Sequence, residues 1–334
     1  TLGTGSAGLT LPNTLAMDTA GSVIETRGSN LTLSDALQIN FGSITSTGGT
    51  LSFAGGLTIA PYGVLDVTGS TLSASGALDL SSGTFISSDN SSLDLQAAIT
   101  LSANNQVTGQ NPVTFEDVHF NGNVLTLGSA STHLKVNDAL ALSGIPLETG
   151  AGSLTLSGAL SLSNNAALNS SGGTITLVSG ASAPSGTSIS LPDTTLVLQN
   201  DLSLTGATLK TKNTTLTTND KALSLSSSSI LEVDGTQDLS GVSPDNSTTL
   251  RLAANSTIDD NATLTVGTLN LANFALTLDN AMAGLSIAQP VTLDAATEQI
   301  ITGGADLSLN GGATVNAGTL SSTGGTLSAS SFSV

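Results

Sequence analysis

Three groups of side chains are spaced so that they can do chemistry. Glu116 and Asp117 stand just before His119, and carboxylates beside an imidazole can hold a metal ion or move a proton. Asp259 and Asp260 form a second acidic pair, and Asp234 and Asp238 flank a turn. Cleavage of polysaccharides needs two carboxylates at close quarters, or carboxylates with Lys, Arg or calcium, in a groove where aromatic rings receive the sugars. Solvated charges on exposed strand edges explain Glu116, Asp117 and His119 as well, and that is the expectation. His133 lies 14 residues beyond His119, a spacing that does not bring the two into line. No catalytic, cofactor-binding or metal-binding residue is assigned.

The aromatic inventory argues the same way. There is one Tyr, Tyr62, no Trp and seven Phe, and Phe53, Phe85 and Phe115 fall at positions expected to fill a core. The calcium nonapeptide of β-rolls, the EF-hand loop, phosphate loops and dinucleotide fingerprints are absent. Gly303-Gly304-Ala305-Asp306 and Asn310-Gly311-Gly312 resemble fragments of the calcium repeat only superficially. With no cysteine, there are neither disulfides nor thiolate metal sites. Asn-x-Ser/Thr triplets, such as those at Asn30, Asn213 and Asn255, are expected by chance in a chain so rich in these residues.

Net charge is −18, from 24 acidic and 6 basic residues. The basic residues Arg27, Lys135, Lys210, Lys212, Lys221 and Arg251 are scattered, whereas nucleic-acid binding needs clustered cations to displace counterions. Neither nucleic acid nor an anionic membrane is therefore an expected partner, and no run of about 18 apolar residues suggests a membrane helix.

What must position any site is a repeat. Leu-x-Leu pairs return every 20 to 21 residues in three series: Leu31, Leu51, Leu72, Leu93, Val113; Leu37, Leu57, Leu78, Ile99; and Ile44, Val64, Phe85, Val107. Alternate residues of a strand face opposite ways, so each turn contributes three short strands whose apolar residues share one interior. The first spacing in a turn is regularly six, as from Leu154 to Leu160 and from Leu196 to Leu202. The next two relax to seven or eight, unlike a hexapeptide left-handed helix. The expectation is an all-β, right-handed parallel β-helix of roughly 16 coils and roughly 75 Å, forming a single continuous domain over 1–334. With 38% apolar residues placed in register, disorder is excluded despite the Ser and Gly content.

The corners carry turn chemistry. Gly48-Gly49, Gly172-Gly173 and Gly324-Gly325 precede strands, and Asn104-Asn105 and Asn164-Asn165 occupy similar places, where stacked Asn could form amide ladders. Segments 103–112, 181–188 and 240–249 lack the central Leu-x-Leu and read as protruding loops.

These turns of about 20 residues, with Leu-x-Leu sides, Gly/Asn corners, a Ser/Thr exterior and no cysteine, resemble the right-handed β-helix of bacterial exported surface proteins: filamentous-haemagglutinin-type adhesins and autotransporter passengers. The resemblance implies a secreted or surface-displayed rod with an adhesive or structural role, although Asn-Pro-Asn secretion motifs and a barrel segment are missing. The opening Thr1-Leu2-Gly3 reads as a processed product or a segment of something longer. Neither end shows a cap, and Gly324 to Val334 repeats the style of the coil beginning at Gly48. Head-to-tail stacking of copies, or continuation into neighbouring repeats, is expected. The expected function is a non-catalytic extracellular structural solenoid, a filament subunit or adhesin stalk, without cofactors. The alternative is a carbohydrate-binding or polysaccharide-degrading β-helix, with cell-surface or matrix glycans as partners.

Overall fold

The computed structural model describes residues 8–67, 70–74, 78–80, 84–86, 92–101, 105–107, 112–120, 122–128, 130, 132–259, 262–279 and 283–334. Among them there is no helix. The chain is a parallel β-solenoid with about three strands to the turn. Contacts divide it into two compact units, Thr1–Leu160 and Ser161–Val334.

In the first unit the first side stacks Leu9, Leu31, Leu51, Leu72, Leu93, Val113, Leu134 and Leu154 in register. The second side stacks Leu15, Leu37, Leu57, Leu78 and Ile99. Leu31, Leu37, Leu51 and Leu57 are fully buried, and Thr32, Ser52 and Thr58 between them face outward. This is the alternation that a strand with one wet face requires.

The third side corrects one assignment. Ile44 pairs with Leu65, and Leu65 with Phe85, so Leu65 and not Val64 is the inward residue. Val64 pairs with Ser43 on the outer face. The cause is a bulge: Ile39 pairs with Ile59 but Phe41 with Tyr62, so the strand Leu57–Asp66 carries one extra residue at Ala60–Pro61. One added residue flips every later side chain.

In the second unit the second side stacks Ala181, Leu202, Leu223 and Val242, and the third Ile189, Leu209, Leu231, Leu250 and Leu269. Two segments expected to protrude are therefore strands. Ala181–Pro184 keeps its place with small inward residues, Ala181 and Ala183, where other turns use Leu. Val242–Pro244 does so with Val242 inward. In 103–112, Asn105–Val107 is also a strand, paired with Leu125–Leu127; 103, 104 and 108–111 lie outside the described residues.

The second unit also contains a seam. The first side stops at Thr215–Thr217 and resumes at Thr236–Asp238. The second stops at Val242–Pro244 and resumes at Thr263–Val266, and the third stops at Thr268–Asn270 and resumes at Val291–Leu293. Each side is interrupted in turn as the chain winds past. At the first interruption the buried amide of Gln237 takes the place of strand pairing. Its Oε1 accepts from the Thr214 N–H at 3.2 Å, and its Nε2 donates to the carbonyls of Thr236 at 2.7 Å and Asp234 at 3.4 Å.

Corners are held by small polar residues. Asn164 and Asn165 adopt φ of 51° and 63°, a left-handed conformation that Asn tolerates. Asn also pairs with a carboxylate one turn away: Asn40 with Asp18 at 2.6 Å and Asn213 with Asp193 at 3.0 Å. Inside one corner of the first unit, Thr26 and Ser70 both donate to the Ser46 hydroxyl at 2.7 and 2.6 Å, all three buried. Thr302 is different, since its buried Oγ1 has no partner. An isosteric replacement removes the cost of desolvating that hydroxyl, so Thr302→Val is expected to stabilise the protein by about 1 kcal/mol, measured as a rise in the urea midpoint.

Candidate functional site

The His119 cluster is only partly assembled. His119 Nε2 lies 3.1 Å from Asp117 Oδ2, beside a cleft of about 430 Å³ lined by Val118, Phe120, Ala139, Ala141, Ser143 and Ile145 among others. The other Asp117 oxygen accepts from the Val118 N–H at 2.7 Å. The side chain of Glu116 lies outside the described residues. His119 pairs with Thr100, whereas His133 pairs with Pro112 and Ser153 on the first side, so the two imidazoles are not brought together. His133 Nε2 sits 2.9 Å from Thr155 Oγ1, and burial holds its pKa below the ordinary histidine value.

The remaining acidic residues serve corners and strand faces. Asp238 caps the Ser240 N–H at 2.9 Å, and Asp306 accepts from the Thr326 N–H at 2.6 Å, one turn on. Asn310 donates to Ser286 at 3.0 Å. Asp259 closes the strand Ser256–Asp259, and Asp260 is outside the described residues. Asp245 accepts from the Ser247 hydroxyl at 2.6 Å, which with further donors from Ser247 and Thr248 holds its carboxyl below the usual range. Among the described residues no three His, Cys, Asp or Glu side chains gather as a metal site would require.

Two arrangements escaped the reading of the residues. Lys210, Glu232 and Arg251 are successive partners on the outer face of the third side of the second unit. Glu232 is ion-paired to Arg251 and stands 3.9 Å from Lys210, while Asp234 holds Lys212 at 3.1 Å. Three cations scattered along the chain thus stack against carboxylates at the strand spacing of about 4.8 Å. They do not form a free basic patch.

The second arrangement is aromatic. Phe41 and Tyr62 are partners across the first unit's third side, their rings stacked 5.4 Å apart and 2° from parallel. Tyr62 is 72% exposed and Phe41 38%. Each is followed by a glycine, Gly42 or Gly63, where a Cβ would collide with a backbone carbonyl, of Ser22 or Ile39 respectively. The bare backbone lets adjacent turns approach closely beside the rings. The signal in the residues was an aromatic-Gly pair recurring after 21 positions.

Along the same outer face, Thr45 and Thr47 join Glu25 and Arg27 in lining a cleft of about 530 Å³, with Arg27 paired to Glu25 at 2.7 Å. Among the described residues no helix is long and apolar enough to cross a membrane. No family model matches the chain, and neither a curated protein nor a solved structure matches it.

Proposed function

We propose that this chain is a non-catalytic structural solenoid of an extracellular or bacterial cell surface, serving as a filament subunit stacked head to tail or as the stalk of an adhesin. The supporting observation is the edge formed by Leu327–Ala329 and Phe332–Ser333. Leu327 continues the column of Leu285 and Leu307, and Phe332 that of Val291 and Ala313. The four earlier residues are buried, whereas Leu327 is 43% and Phe332 55% exposed. A further layer of strands in the same register would cover both, at roughly 1.5 to 3 kcal/mol for each side chain fully buried. A second copy stacked in the same register would supply such a layer.

The test is electron microscopy with sedimentation at rising concentration. Wild-type protein is expected to lengthen into filaments, and Leu327→Asp, which sets a charge on the stacking face, to stay in short particles. Wild-type particles of constant length at every concentration would overturn self-stacking. A second reading, carbohydrate binding, is favoured by the exposed Phe41–Tyr62 stack, since aromatic faces with polar neighbours are a common footing for ligands.

A further inference from the structure

The Phe41–Tyr62 stack is exposed on the surface of the first unit. Tyr62 is the more open of the two rings and Phe41 the more sheltered. Immediately before Phe41, Asn40 donates to Asp18 at 2.6 Å, between exposed side chains. An amide and a carboxylate are thus joined one residue along the chain from the exposed aromatic pair.

The charge narrows the ligand. Arg27 is the one cation before Lys135, and it is already paired with Glu25. Nothing there attracts an acidic sugar, a phosphate or a nucleic acid. A pyranose of neutral charge fits each feature, since its C–H face packs on an aromatic ring while its hydroxyls pair with amide and carboxylate oxygens.

We propose that Phe41 and Tyr62, with Asn40 and Asp18, form a binding platform for a neutral saccharide. This rests on the carbohydrate-binding reading above. A sugar ring packs against the exposed aromatic pair, and Asn40 and Asp18 hold its hydroxyls. Thr45 lies four residues from Phe41 on the same strand face, about 13 Å away, so a longer glycan reaches the threonine-lined cleft beside Glu25.

Tyr62 is the one Tyr of a chain without Trp, so its fluorescence reports this position alone. The test is an array of neutral hexose and N-acetylhexosamine oligosaccharides, followed by titration of any bound glycan against Tyr62 emission. Phe41→Leu keeps an apolar cross-strand partner but removes the aromatic face, and Asn40→Ala leaves both rings in place. Each is expected to weaken binding at least tenfold while the melting temperature stays close to wild type. Wild-type binding that both variants retain would overturn this site and leave the carbohydrate reading standing. Binding to none of the glycans would overturn both.

Discussion

Leu57→Asp is expected to unfold the turns around it at temperatures where the wild type is fully ordered. Leu57 is completely buried, and its strand pairs Leu57 with Leu37 and Leu78 of the adjacent turns. Removing its isobutyl group alone, as in Leu57→Ala, costs about 2 to 5 kcal/mol. The aspartate adds the cost of placing a carboxylate among leucines, at several kcal/mol or by forced protonation. Whole domains are stable by only about 5 to 15 kcal/mol, and a solenoid turn rests on its neighbours, so the loss spreads along the stack. Thr58→Asp, one residue on and facing outward but opposite Asp79, is expected to cost about 1 kcal/mol or less. Urea unfolding followed by circular dichroism separates the two. Equal midpoints for Leu57→Asp and Thr58→Asp would mean that the inward register is wrong.

That contrast also marks how far the fold was legible. The first two sides could be read because Leu-x-Leu recurs at a constant spacing and the strands are bent only at the corners between them. The third side failed at Val64 because the extra residue at Ala60–Pro61 leaves no mark in hydrophobicity: Val64 and Leu65 are both apolar, and only pairing with Ile44 decides between them. Segments 181–188 and 240–249 read as loops because they are rich in Gly, Pro, Ser or Asn and lack the central Leu-x-Leu, yet the alternation of inward and outward residues persists through Ala181, Ala183 and Val242. The Phe41–Tyr62 pair was missed for a different reason. A low count of aromatic residues does not exclude a platform, which depends on their spacing relative to the turn. The Lys210–Glu232–Arg251 stack had no local signal, because separations of 19 and 22 residues acquire meaning only once the length of each turn is known.

Gln237 is where the repeat pattern and the structure demand opposite residues, which makes Gln237→Leu the sharper experiment. Leu196 and Leu216 fill the first-side column in the preceding turns, and Ile258 pairs with Gln237 itself. By periodicity alone a leucine at 237 completes the column, and the substitution should stabilise. The seam reverses the sign. Because Thr215–Thr217 and Thr236–Asp238 do not pair, the Gln237 amide carries the hydrogen bonds to the Thr214 N–H and the carbonyls of Thr236 and Asp234. Leucine leaves these groups without that partner, at about 1 to 3 kcal/mol for each one stranded, against a gain of roughly 1 to 2 kcal/mol from burying a more apolar side chain. The net expectation is a loss of about 2 kcal/mol, read as a lower urea midpoint and faster hydrogen exchange at Thr214. Gln237→Glu retains the acceptor toward Thr214 but loses both donations and buries a charge, so it is expected to be less stable still at neutral pH. Burial raises that carboxyl's pKa, so part of the stability returns as the pH falls and the protonated acid regains a donor. A higher midpoint for Gln237→Leu would mean that the seam is an ordinary gap in the sheet, tolerant of any residue that fits, and that periodicity governs the column throughout.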